Sequence, residues 1–440
     1  MVHRRRILSV LAVAVIGGMI ALLAAPALAL GILPDSTVDV VRGKVFALTE
    51  TSDHSTIYLG GKFSRVSDQA GTSGSIYSPA SITRFDESTG IGDPTWTPGV
   101  YTSSDYGTIN GMALSPDGST LYVVGKFSLA CPSPVGSTCE TRKNLAAFDT
   151  TTGALLPLSE NVGNSANTIL LASSGGVVTK IYIGGPFKRL NGKPVGGLAA
   201  INPDGTVDTS FNPVADNTVR TLVYAADGQS IFVGGSFTSI TQGLTTYPRQ
   251  SVARLNLDGT VNDWAIPGGT LPTPMTAWSL TPSPDGTILY GGFGAGPNFA
   301  QAFTLTNGAS GDSIWKKSTP GNVESTALSP DGTGLFIGGH FGLAHKTQPA
   351  CTGESVHGLA ELDLTTAPKI KYVCWAPHMF PDQGNFTGGW TLLVNSNYLW
   401  VGGLFDSICT PDGFTQCLPA PQTPPAHAPV MNVARFTLAS

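Results

Sequence analysis

The segment Ile231-Phe232-Val233-Gly234-Gly235-Ser236-Phe237 decides the fold, because variants of it recur along the whole chain. Each copy has two or three apolar residues, a glycine pair or a close variant of it, any residue, and then Phe. Further copies occupy residues 57–63, 121–127, 181–187, 288–294, 335–341 and 399–405, and Gly replaces the final Phe in the copy at 288–294. Steps of 47 to 64 residues between copies indicate one supersecondary unit per repeat.

Each copy belongs to a unit that the pattern predicts to have four short strands. An apolar run ending in an Asp-Gly turn precedes the copy, as in residues 327–332, and a third strand such as 251–255 follows it. We interpret the aspartates as turn residues rather than calcium ligands. The predicted fourth strands carry an aromatic residue: Trp96, Phe211, Trp264, Trp315 and Trp375. Seven such units predict an all-β fold, a seven-bladed β-propeller with four antiparallel strands per blade.

The two ends of the chain complement each other. The last copy is followed by a third strand at 432–436, and the chain stops at Ser440 without a fourth. Residues 36–40, near the other end, precede the first unit and resemble the fourth-strand segment 206–211. We therefore expect the N-terminal strand to complete the last blade and close the ring, which removes an open sheet edge.

The repeat also resembles a known family. Residues 197–237, with the segments 202–213 and 232–237 inside them, are similar to the delta-60 type β-propeller repeat of secreted bacterial proteins. The glycine pairs and Trp-bearing strands resemble kelch propellers more loosely. Both resemblances imply a propeller, but neither implies an activity, because propellers carry many unrelated functions.

Composition excludes several other classes of protein. The 440 residues include 54 Gly and 32 Pro, which argues against helical folds, and an apolar content of 41% argues against disorder. A basic segment at 3–6, an apolar run at 7–25 and an Ala-Leu-Ala site at 27–29 predict a signal peptide, with the general secretory and twin-arginine routes both open. We expect cleavage, a single mature domain at 30–440 and a secreted or extracellular protein; a retained membrane anchor is the alternative.

The charge of the chain limits the classes of partner that we expect. The chain has 24 basic and 29 acidic side chains, and the predicted leader removes three arginines and no acid. No basic cluster remains downstream, so we do not expect a nucleic-acid partner. The expected ligand is an extracellular protein or a glycan. We expect a monomer without a stable membrane span after signal cleavage.

Six cysteines in an exported chain predict disulfides. Proximity in sequence favours the pairs Cys131–Cys139, Cys351–Cys374 and Cys409–Cys417. No Cys/His spacing of the structural-zinc kind is present in the sequence.

Two groups of residues are candidates for a site on the rim or wall of the central channel. Four histidines of the sixth unit could hold a divalent metal, although ordinary loop histidines are the simpler interpretation and no cofactor is predicted: His340, His345, His357 and His378. Counting back seven residues from each first-turn Asp or its equivalent gives inner-strand positions that could bind a small polar ligand or only water: Phe46, Asn110, Asn167, Arg220, Trp278 and Glu324.

The sequence therefore predicts a binding or interaction module. It has no G-x-S-x-G elbow, no P-loop and no GxGxxG between a strand and a helix. The alternative is a carbohydrate-active enzyme, a polysaccharide lyase or hydrolase, with scattered loop residues around the channel mouth. Converging carboxylate or His/Tyr pairs in that pocket would favour the enzyme.

Overall fold

The computed structural model describes residues 36–438 except 42, 68–75, 135, 159, 307, 342–356, 374, 376, 381–387, 406, 410–416 and 419–431. Within this part the chain is all-β, with one short 3-10 helix at Leu364–Thr366. None of the described residues belongs to a helix long and apolar enough to cross a membrane. The predicted signal peptide lies outside the described residues.

The strands are numbered along the chain. Strands β1 to β12 span Ser36–Val41, Lys44–Glu50, Thr56–Lys62, Arg65–Ser67, Ile76–Tyr77, Ile82–Asp86, Gly99–Tyr101, Thr108–Leu114, Thr120–Lys126, Leu129–Cys131, Glu140–Thr141 and Leu145–Asp149. Strands β13 to β25 span Thr168–Ser174, Val177–Gly184, Arg189–Leu190, Lys193–Pro194, Leu198–Ile201, Val214–Ala215, Val219–Tyr224, Ser230–Gly235, Ser239–Gln242, Thr245–Pro248, Val252–Asn256, Thr276–Pro282 and Ile288–Gly294. Strands β26 to β37 span Phe299–Thr304, Ser313–Ser318, Ser325–Leu328, Gly334–Gly338, Leu359–Asp363, Lys371–Tyr372, His378–Phe380, Gly388–Val394, Tyr398–Leu404, Ser407–Cys409, Cys417–Leu418 and Val433–Thr437.

Each repeat copy forms the second strand of its own antiparallel sheet. The sheets, in chain order, are β2-β3-β6, β8-β9-β12, β13-β14-β17, β19-β20-β23, β24-β25-β26-β27, β28-β29-β30-β31 and β33-β34-β37. We call these sheets 1 to 7 and the strand that opens each one its first strand. The remaining short strands pair in the connections between these sheets or, in the case of β1, extend sheet 7.

The prediction of four strands in every unit is only partly correct. Sheets 5 and 6 have a fourth strand, whereas sheets 1 to 4 have single bridges there: Phe85–Gly92, Phe148–Leu155, Ile201–Val207 and Leu255–Val261. In three of these sheets an Asp or Asn side chain just after the bridge accepts a nearby backbone N–H, as Asp208 does from Ser210. Such local bonds compete with strand pairing and turn the chain away from the sheet. The predicted fourth-strand aromatics still lie in the core, with Trp96 and Trp264 each 1% exposed.

The N-terminal strand joins the two ends of the chain. Strand β1 pairs antiparallel with β37, with Ser36 opposite Arg435 and Val38 opposite Val433. Its second half pairs with β4, which places Val40 opposite Val66. The N-terminal strand therefore extends sheet 7, as the sequence predicts.

The glycine pairs allow neighbouring sheets to approach closely. A Cβ atom on Gly60 of sheet 1 would lie 2.6 Å from Ile109 Cγ2 of sheet 2, and one on Gly402 of sheet 7 would lie 2.6 Å from Val45 Cγ1 of sheet 1. The first strand of every sheet contacts the first strand of the next, and β33 of sheet 7 contacts β2 of sheet 1. The first strands thus form a continuous cycle of contacts around a common centre.

Candidate functional site

One residue from each of the seven sheets lines a cavity of about 320 Å³. The lining residues are Phe46, Asn110, Asn167, Arg220, Trp278, Glu324 and Trp390. Six of them are the positions obtained from the sequence by counting back from each first turn. The structure therefore brings the predicted inner-strand residues together, and it adds Trp390 from sheet 7.

Irregular pairing directs these side chains into the cavity. In five sheets the lining residue is the one skipped by the register between the first and second strands; Asn110, for example, lies between the paired residues Ile109 and Gly111. A residue left unpaired at a β-bulge has its side chain re-aimed. Asn167 and Glu324 instead immediately precede the first strands β13 and β28. The backbone irregularity explains why a glycine-rich sheet presents polar and aromatic groups to its centre.

Arg220 is the cationic side chain of the cavity lining, and it forms no ion pair with any residue in the described part of the chain. Its guanidinium carbon lies 4.5 Å from the centroid of the Trp278 ring, in a cation–π contact. Its side chain makes no hydrogen bond or ion pair with any described residue, and its Nε is buried and unpaired. Burial lowers the pKa of Arg220, an effect that the negative charge of Glu324 partly offsets. The cavity thus holds a partly desolvated cation with a buried Nε that has no acceptor among the described residues.

The opposite side of the cavity is aromatic. The rings of Phe46 and Trp390 stack with centroids 5.3 Å apart and an interplanar angle of 6°. The Nζ of Lys44 lies 5.3 Å from the centroid of the Trp390 ring. The indole nitrogens of Trp278 and Trp390 are buried and have no hydrogen-bond acceptor among the described residues. A flat apolar surface of this kind suits the face of a ring.

The two asparagines connect neighbouring sheets and leave an acceptor free. The Nδ2 of Asn110 donates to the Ala166 carbonyl at 2.9 Å, and that of Asn167 donates to the Val219 carbonyl at 2.7 Å. Their Oδ1 atoms accept no hydrogen bond from the described part of the chain. These residues hold the inner strands in place and also offer two amide oxygens near the cavity.

Glu324 is the carboxylate of the cavity, and it contacts a histidine. Its Oε1 lies 2.8 Å from Nδ1 of His340, and the two side chains are 15% and 24% exposed. His340 was expected in a metal site with three other histidines. His357 precedes β30 of sheet 6, and the backbone of His378 begins β32, between sheets 6 and 7. His345 lies outside the described residues. The metal site stays a prediction.

A second polar cluster lies where the two ends of the chain meet. Ligand-type atoms of Glu50, His54 and Glu87 lie within 4.8 Å of one another. The Nδ2 of Asn395 donates to both carboxylates, at 2.8 Å to Glu50 and 2.5 Å to Glu87. Burial raises the pKa of Glu87, while the hydrogen bond that the His54 ring donates to Glu50 raises the pKa of His54. Since the amide of Asn395 fills the space between the carboxylates, this cluster connects sheets 1 and 7.

The three predicted cysteine pairs have different outcomes. Cys131 and Cys139 are joined by a disulfide, with Cα atoms 4.0 Å apart. Cys409 and Cys417 face each other in the antiparallel pair β35–β36. Cys351 and Cys374 lie outside the described residues, so that predicted pair stays a prediction.

Comparison with known proteins supports the repeat assignment. A family model described as a β-propeller domain of unknown function (DUF5122) matches residues 180–211 and 226–263. The matched segments contain the third strand of sheet 3, part of its second strand, and the second and third strands of sheet 4. No curated protein matches the chain. The matched family is a β-propeller repeat, and its description states no activity.

Proposed function

We propose that the protein is an exported, monomeric, seven-bladed β-propeller of the delta-60 type that acts as a binding module outside the cell. Residues 1–29 are the signal peptide, and 30–440 form one domain in this proposal. Support for seven blades in a closed ring comes from the seven sheets, the cycle of contacts between first strands and the pairing of β1 with β37. Support for export comes from the leader sequence and the disulfide.

The cavity is the proposed binding site. The observation that carries this proposal is the unpaired guanidinium of Arg220 beside an aromatic wall, in a cavity to which each sheet contributes one residue. Burial of this cation costs free energy that the contact with Trp278 and the charge of Glu324 offset only in part, so a structural role alone does not favour it. A ligand supplies the missing partner.

A glycan-array screen of the secreted protein tests this function, followed by calorimetry on each hit. Trp390→Leu removes one aromatic wall of the cavity and should abolish binding of any ligand held there. Leu244→Ser is the matched control, since Leu244 is fully exposed at a hairpin tip. Equal binding by both variants would show that the cavity is not the site, and the absence of any hit would argue against a glycan-binding module.

One observation favours the alternative, a polysaccharide lyase or hydrolase. The Glu324–His340 pair lies at the same cavity and could move a proton. Product analysis of each array hit by chromatography distinguishes the two functions. A shortened or unsaturated product that disappears in Glu324→Gln would establish the enzyme, whereas unchanged ligand supports the binding module.

A further inference from the structure

We propose that the cavity recognises a carboxylate carried on a single sugar ring, such as a hexuronic acid, with the carboxylate held by Arg220. This inference rests on the proposed binding function and adds the chemical class of the ligand. A free hexuronate and a hexuronate at the end of a polymer both present a carboxylate on a sugar ring.

The charge argument begins with Arg220. The structure places this side chain in the cavity, stacked on Trp278, without an ion-pair or hydrogen-bond partner in the described chain. The nearby carboxylate, Glu324, contacts His340 instead. A guanidinium presents a planar fork of N–H donors that matches two oxygens of a carboxylate. The cavity can therefore bind an anionic ligand through Arg220.

Glu324 limits the charge that this anion can carry. The cavity lining has one cationic side chain, Arg220, and one carboxylate, Glu324, and the Nζ of Lys44 lies next to the lining, 5.3 Å from the centroid of the Trp390 ring. A phosphate dianion would bring two negative charges near that carboxylate and be repelled in a medium of low dielectric. A carboxylate brings one charge, which Arg220 balances. The cavity therefore favours a monoanion.

The remaining walls specify the body of the ligand. Phe46 and Trp390 contribute two stacked aromatic rings, and the Oδ1 atoms of Asn110 and Asn167 accept no hydrogen bond from the described residues. A sugar ring has an apolar C–H face for the first surface and hydroxyl donors for the second. A volume of about 320 Å³ is at the small end of ligand pockets, which fits one ring rather than an oligosaccharide.

Calorimetric titration of the secreted protein with four probes tests the inference: glucuronate, glucose, acetate and inorganic phosphate. Glucuronate should bind at least tenfold more tightly than each of the other three. Arg220→Gln should reduce glucuronate affinity at least tenfold, and Arg220→Lys should restore part of it. Arg189→Gln is the matched control, because Arg189 is an exposed arginine outside the cavity. Thermal melting of each variant verifies that it is folded.

The outcomes separate this inference from the proposed function. One contrary result is that glucose and glucuronate bind equally, with binding abolished by Trp390→Leu but not by Arg220→Gln. This result would refute recognition of the carboxylate and would still identify the cavity as the binding site. Tighter binding of inorganic phosphate than of glucuronate would also overturn it. If Arg220→Gln does not fold, weakening of glucuronate binding to the wild-type protein by added salt supports the inference, and salt-independent binding contradicts it. A trigalacturonate that binds more tightly than galacturonate would identify the polymer end as the source.

Discussion

Replacing Glu361 with Gln should stabilise the protein at alkaline pH and have little effect at acidic pH. Glu361 lies on β30 with 2% of its surface exposed, and its Oε2 atom is buried without a hydrogen-bond partner in the described part of the chain. Burial raises the pKa of Glu361 to about 7, and the charges of Asp331 and Asp363 act in the same direction. At the corresponding position of sheet 4 the residue is Arg254, which forms an ion pair with the first-turn Asp227 at 2.6 Å.

The size of the effect follows from the raised pKa. The reference pKa of this carboxyl group is 4.5, so the folded state retains the proton to higher pH than the unfolded state does. The contribution of Glu361 to the free energy of unfolding is therefore most favourable below about pH 4.5. It falls by about 1.4 kcal/mol per pH unit as the pH rises to about 7, a total of roughly 3 kcal/mol. Gln is neutral throughout this range and fills nearly the same volume. We therefore expect Glu361→Gln to be more stable than the wild type by up to roughly 3 kcal/mol at about pH 8.

Denaturant unfolding at about pH 5 and about pH 8 measures this difference. Asp263→Asn is the control, because it makes the same change from carboxylate to amide at an exposed position. A gain for Glu361→Gln that is equal at the two pH values would refute the reasoning, since it would show that Glu361 is not titrating between them. A loss of stability at both values would show that the carboxyl group has a specific partner.

Three further predictions concern the junction of the chain ends and the disulfide. Asn395→Ala should destabilise the protein by about 2–3 kcal/mol in denaturant unfolding, since it leaves the buried carboxylate of Glu87 without its amide donor. Deletion of Ser36–Val41 should uncover the edge of β37 and cause aggregation, measurable by light scattering. Cys131→Ser should lower the unfolding free energy by roughly 2–3 kcal/mol in the chain-entropy picture, because it opens a loop of 8 residues to Cys139.

Each of these results has a contradicting outcome. Asn397→Ala, which changes an exposed asparagine in the same turn, should cost less than Asn395→Ala; equal losses would attribute the effect to the turn and not to the carboxylates. A monodisperse deletion variant that melts like the wild type would refute the role of β1 at the edge. A wild-type protein that melts identically with and without reductant would contradict a stabilising disulfide.

Much of the inner wall of the cavity could be predicted from sequence, because the repeat fixes a constant distance between each first turn and its bulge. Arg220 and Trp278 each precede a first-turn Asp by seven residues. Trp390 was missed although its turn residue, Asn397, follows it by seven residues, just as Ser174 follows Asn167 in sheet 3; the other five turns have Asp at this position. The contact between Glu324 and His340 could not be predicted, because it depends on how the residues that flank β28 and β29 pack against each other.

The sequence by itself determined the β-sheet class, the seven repeats and the partnership of the chain ends, because strand periodicity, turn chemistry and the glycine pairs are local signals repeated many times. Only the tertiary structure decided which charges are paired. It places Arg220 on the face of Trp278 without an ion pair to any described residue, pairs Glu324 with His340 and buries Glu361 near two aspartates. These outcomes depend on packing between sheets and on the loss of solvent around each group, which no single stretch of sequence encodes.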